Sequence, residues 1–131
     1  MMYGRLATAA ACILWLAIDA LAHHSHGNYK ATFIDLEGTV REVHLVNPHS
    51  WVYLEVKGAK VQSGVWALEA TSRVALERAG VAATIKPGDR IKVRCHPLRD
   101  DSRGCLLGFV KTADGVVKDW DVSNLPVPGD L

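Results

Sequence analysis

Asn47-Pro48-His49-Ser50-Trp51-Val52-Tyr53-Leu54-Glu55-Val56-Lys57 is the stretch from which the fold can be read. Its first part is a turn, because proline fixes its own backbone and pushes the residue before it out of the helical region. Its second part alternates. Val52, Leu54 and Val56 fall on one face and Trp51, Tyr53, Glu55 and Lys57 on the other, the period of a half-buried strand.

Upstream, Leu36, Gly38 and Val40 share one face, and Val43 and Leu45 continue it after a one-residue phase shift. A phase shift beside a glycine predicts a bulged, strongly curved strand that ends at the Asn47-Pro48 turn. Tyr29 to Ile34 reads as a short lead-in, with Phe33 as its anchor. Downstream, a polar loop over 58–64 leads to a third strand, Val65 to Glu69, with Trp66 and Leu68 on one face. The period then changes. Ser72 caps a short helix from Arg73 to Ala79, with Val74, Ala75, Leu76 and Ala79 as its apolar side, and Gly80 ends it. After the Lys86-Pro87-Gly88-Asp89 turn come a fourth strand, Arg90 to His96, and a fifth, Cys105 to Val110. A last strand is expected near Val116-Val117. Trp120 is expected to pin the following segment to the body of the protein.

Three strands, a helix and two strands make the order of a small five-stranded OB-like Greek-key barrel, a mainly β fold with one short helix between strands 3 and 4. A curved first strand suits barrel closure. An open β-sandwich with one helix is the alternative. The expected division is a leader over 1–22, the barrel over 23–122 and a C-terminal tail over 123–131.

The leader follows from Arg5, the apolar run Leu6 to Ile18, and the small-residue pattern Ala20-Leu21-Ala22. That is the layout of a cleavable signal peptide with a cut after Ala22, which would make the protein periplasmic or secreted. The run falls short of the ~20 apolar residues of a membrane helix, so no span is expected after cleavage; an uncleaved anchor is the alternative. The chain of 131 residues has a formal net charge of +1, and its charges are interspersed. No basic stripe is present to neutralise phosphates, which argues against nucleic acid as a partner. Cys12 falls in the leader, leaving Cys95 and Cys105 as an even pair in an oxidising compartment. Both are at the inward phase of their strands, on either side of one turn, so a cross-strand disulfide is expected; two buried thiols are the alternative.

Several of these segments together resemble a known family. They are His23-His24-Ser25, Gly38-Thr39-Val40, Asn47-Pro48-His49-Ser50-Trp51, Trp66-Ala67-Leu68-Glu69 and Lys86-Pro87-Gly88-Asp89. They look like a family of small exported proteobacterial proteins catalogued as domain of unknown function 6152. The resemblance runs from His23 to the fifth strand. It implies a secreted or periplasmic, barrel-like domain and brings no established activity. Cys95 and Cys105 stand outside its pattern, so a disulfide would be particular to this chain.

Cleavage after Ala22 would make His23 the first residue. An N-terminal histidine chelates through its amine and its ring, and a second imidazole completes a three-nitrogen set suited to copper, with zinc or nickel next. His49 is the favoured partner, since Pro48 fixes the backbone before it and Trp51 walls the place. His24 and His26 are further candidates, and His44 and His96 are more distant ones. Asn47 or Glu69 could hold the far nitrogen of a ligand ring. The plain alternative is that His49 only bonds a turn carbonyl. A second reading takes Trp51, Tyr53 and Trp66, with Asn47, as a face for a glycan, a peptide or an envelope protein; against it, these aromatics could simply fill the core. Catalysis has little support. Ser25, Ser50 and Ser72 lack a nucleophile-elbow context, and Cys95 and His96, as strand neighbours, face opposite ways.

Overall fold

A computed structural model describes residues 26–131. The expected leader over 1–22, and with it His23 and His24, lies outside the described residues. The elements are a short 3-10 turn (His26–Asn28), β1 (Ile34–His44), β2 (Ser50–Val56), β3 (Gly64–Ala70), α1 (Arg73–Arg78), β4 (Arg90–Pro97), β5 (Gly104–Lys111) and β6 (Val117–Asp119). The sheet runs β3-β2-β1-β4-β5-β6. A parallel pairing of β3 with β5 closes the first five strands into a barrel, with β6 added at the side. This is the OB-like order, and the open sandwich is set aside by the β3–β5 closure.

β1 is the longest strand and is paired on both sides. It meets β2 from Gly38 to His44 and β4 from Ile34 to Thr39. Its pairing with β2 skips a residue between Val40 and Glu42, and that bulge is the phase shift seen in the sequence. Gly38 is in register with Val56 on one side and Ile91 on the other, and a Cβ there would meet the backbone of Glu55. Inward side chains of all five barrel strands, among them Leu36, Leu54, Leu68, Val93 and Leu107, make one continuous core.

Ser72 caps α1, its side chain accepting from Ala75 N at 3.2 Å, and Gly80 ends the helix at φ +71°. Only Leu76 of this helix is buried. Val74 lies outside the core, over the β1–β2 turn. Trp120 is fully buried in the core cluster and donates its backbone N–H to Gly108 O, so it does fasten the segment that follows. The tail returns to the barrel. Arg94 binds Asp35 through two nitrogens and Asp130 through a third, and Leu131 is buried. No helix among the described residues is long and apolar enough to cross a membrane.

Cys95 and Cys105 are joined, with Cα atoms 5.6 Å apart. They are not directly opposite. Cys95 pairs in register with Leu107 and Cys105 with Pro97, so the bridge crosses the hairpin diagonally, next to a register shift at Arg94/Cys95.

The lead-in before β1 differs from expectation. Phe33 is 47% exposed and stacks on the His96 ring, with centroids 3.9 Å apart. The buried anchor is Tyr29, at 7% exposure. Backbone bonds tie this segment to the β4–β5 hairpin: Lys30 N to Pro97 O at 2.8 Å, Arg99 N to Asn28 O at 2.9 Å, and a bridge between Tyr29 and Leu98. Residues 26–31 therefore form a strap across the outside of the barrel.

Candidate functional site

The strap ends on a buried carboxylate. Glu69 is on β3, whose outward positions alternate with the core residues Trp66, Leu68 and Ala70. It is nevertheless only 8% exposed, because the strap covers it. Burying a carboxylate is costly unless polar partners meet it. Two do. The Tyr29 hydroxyl donates to Glu69 Oε2, and His49 Nδ1 is 2.9 Å from Glu69 Oε1. Tyr29, Glu69 and His49 thus form one chain of polar groups linking the strap, β3 and the turn before β2.

The turn is built to hold His49 in place. Asn47-Pro48 is a cis peptide. Ser50 is fully buried, and its hydroxyl both donates to Val46 O and accepts from Val46 N, which closes the loop on itself. That use accounts for Ser50 without a chemical role. Asn47 Oδ1 accepts from Val74 N at 3.3 Å, so Asn47 tethers the turn to the start of α1 and is not the residue beside the His49 ring; Glu69 is. The His49 side chain remains 40% exposed. With Nδ1 against Glu69, Nε2 is the nitrogen left for any ligand.

Burial pushes the Tyr29 hydroxyl well above the ordinary tyrosine value, and the hydrogen bond and charge of Glu69 push it further the same way. The native state therefore keeps this proton where an unfolded chain gives it up. Its contribution to stability is complete below the unfolded value of 10.0 and is lost as pH climbs towards the raised folded value. Tyr29→Phe is expected to flatten the alkaline loss of stability. The difference in tyrosinate absorbance between wild type and Tyr29→Phe should develop only above about pH 10. A difference step centred at the ordinary tyrosine value would show that the hydroxyl is not held by the carboxylate.

Other sequence candidates are placed apart from this group. Trp66 faces the interior, 5% exposed and in register with Leu54, and its indole donates to Gln62 O at 2.8 Å. It cannot share a binding face with Trp51 and Tyr53, because its phase on β3 is inward. Trp51 and Tyr53 are half-buried on the outer face of β2, where Trp51 is in register with His44 on one side and Glu69 on the other. His44 approaches Tyr53 edge-on, 5.3 Å between centroids, and its Nε2 contacts Glu42. His96 Nδ1 is bonded to Thr32 O at 3.1 Å. His26 opens the described chain three residues before Tyr29. Among the described residues no three His, Cys, Asp or Glu side chains converge as a metal site. Tyr29 carries no sequence signal of its own, being a lone aromatic between polar residues with a partner 40 positions away.

No match was found among the curated proteins or among the solved structures. A family model does match, over residues 10–107, a span that takes in the strap, the His49 turn and β3 and ends in β5. With three quarters of its length covered and the site residues inside the match, the chain belongs to the family of unknown function DUF6152.

Proposed function

We propose that this is a small exported binding protein that holds one divalent metal ion, copper by preference, through His49 and the histidines at the mature N-terminus. The observation that carries the reading is the contact of His49 Nδ1 with the buried Glu69 carboxylate. A carboxylate behind an imidazole fixes its tautomer and orientation and raises the basicity of the other nitrogen, the usual arrangement behind a metal-bound histidine. The described residues do not complete a ligand set by themselves, so the remaining donors are assigned to the His23 amine and ring, with His24 or His26 as a further donor. Covalent reach supports this. His23 is six residues before Tyr29, a span of at most about 20 Å of extended chain, and Tyr29 touches the same carboxylate as His49. Amine and imidazole nitrogens suit copper(II), then nickel or zinc.

The test is a copper titration of protein expressed with its leader and purified with its N-terminus confirmed by mass. Calorimetry and electron paramagnetic resonance would follow it. The expected result is one tight equivalent, lost in His49→Ala and weakened at least tenfold when one extra residue precedes His23. Weak, multiple binding that ignores His49 would overturn the reading.

The second reading, recognition of a glycan, a peptide or an envelope protein, is favoured by one observation. Trp51 and Tyr53 lie half-buried on one outer face with His44 beside them. Trp51→Ala would then abolish capture of that partner and leave the protein's copper stoichiometry unchanged.

A further inference from the structure

We infer that the outer face of the β4–β5 hairpin carries a binding site for a small organic acid, one with an apolar body and a single carboxylate, seated between Phe33 and Arg99. This site does not depend on the metal reading above.

Two cavities adjoin on this face at His96 and Leu106. The first, about 140 Å³, is also lined by Phe33, Gly108 and Leu125. The second, about 260 Å³, reaches Lys30 and Arg99 beside the docked strap. Each alone is below the roughly 300 Å³ at which small-molecule sites begin, and the two together are above it. The apolar end has fixed walls. Gly108 brings no side chain, and a Cβ there would be 3.4 Å from Phe33 Cε1, so the Phe33 ring lies against the glycine. The same ring stacks on His96, whose Nδ1 is held by Thr32 O. Phe33, 47% exposed, and Leu125, 60% exposed, stand at the lips. Two large apolar side chains left in water around one apolar cavity mark a surface that receives an apolar group. An apolar cavity of about 150 Å³ holds a benzene ring, which sets the size of the body.

Charge selects the other end of the ligand. Lys30 is paired with Asp101, and Asp100 takes the Ser102 hydroxyl. Arg99 has neither a side-chain hydrogen bond nor an ion pair among the described residues. A guanidinium is a planar fork that receives a carboxylate through two N–H groups. One unpaired cation suits a single negative charge better than a dianion. Asp121 lines the far end and brings no positive charge there. The carboxylate is therefore directed to Arg99 and the apolar body to Phe33.

Phenylbutyrate, its neutral amide and butyrate are the probes, titrated into the protein expressed with its leader and followed by nuclear magnetic resonance. The expected result is saturable shifts at Phe33, His96, Leu106 and Gly108 with phenylbutyrate and none with butyrate. Arg99→Gln should weaken phenylbutyrate about fivefold and leave the amide unchanged. Phe33→Ala should weaken both about tenfold. Both side chains are exposed, so neither change removes part of the core. No saturation below about 10 mM, or shifts centred on Trp51 and Tyr53, would overturn the site. Equal weakening of acid and amide by Arg99→Gln would overturn the carboxylate assignment. The wild-type titration needs no variant, so poor folding of a variant would not shield the proposal.

Discussion

Gly38→Ala is expected to destabilise the protein by about 3 kcal/mol or more, at the upper end of what overpacking a core costs. A Cβ at Gly38 would be 2.2 Å from Glu55 O and 2.9 Å from Glu55 C, with Leu54 Cγ at 3.1 Å. The first two are backbone atoms of the neighbouring strand and have no rotamer to escape into. Relief would require β1 and β2 to separate, yet at this residue β1 is also held to β4 through Ile91. Natural domains are stable by roughly 5–15 kcal/mol, so such a loss removes a large share of the total. Gly58→Ala is the control, since nothing lies within 4 Å of a Cβ there. Denaturant midpoints of the two variants against wild type would decide the matter. A Gly38→Ala midpoint equal to that of Gly58→Ala would mean that the strands are not in this close crossing.

Loss of the disulfide is the second large effect. The Cys95–Cys105 bond spans 10 positions. The chain-entropy relation gives about 3 kcal/mol for a loop of that size, removed from the unfolded ensemble's disadvantage when the bond is absent. The paired variant Cys95→Ala/Cys105→Ala isolates this term, because both sulfurs are fully buried and one alanine alone would leave a lone thiol in the core. The consequence has a place as well as a size. The bond secures the hairpin end that carries Pro97, Leu98 and Arg99, and those residues hold the strap. Unfolding followed with and without reductant should show the loss, and exchange at Lys30 should rise before exchange in β2. A loss below about 1 kcal/mol would show that reduced and oxidised chains have similar unfolded ensembles, contrary to the loop argument.

The barrel was legible because its signals are local. Alternation in β2, the phase shift at Val40/Glu42, the Ser72 cap with Gly80 behind it and the turn before β4 each declare themselves within a few residues. The site was half legible. His49 stands out through Pro48 and Trp51, and Glu69 is one of two residues the sequence offers for its support. The other, Asn47, accepts instead from Val74 N, a partner 27 positions away that no local pattern announces. Phe33 reads as the anchor of the lead-in on hydrophobicity alone, but the buried place is Tyr29's, whose hydroxyl meets a carboxylate that no local pattern connects to it. Trp66 joins the aromatic face by residue type alone, whereas its strand phase, shared with Leu68, is the inward one.

The parallel seam between β3 and β5 has a kinetic consequence. Its pairs, Ala67 with Gly104, Leu68 with Cys105 and Glu69 with Leu106, join residues 37 apart and involve no hairpin. The hairpins β1–β2, β2–β3 and β4–β5 can zip from their turns, whereas the seam and the β1–β4 pairing, Ile34 with Cys95 and Thr39 with Arg90, must wait for both parts of the chain, since contacts of long sequence separation give their return last. Glu69 is itself one of the seam residues. It meets His49 within the β2–β3 hairpin, where Trp51 pairs with it, but the strap that brings Tyr29 is held by the β4–β5 hairpin, so the carboxylate gains its second partner only once β3 and β5 are joined. A molecule whose barrel has not shut therefore leaves this carboxylate uncovered.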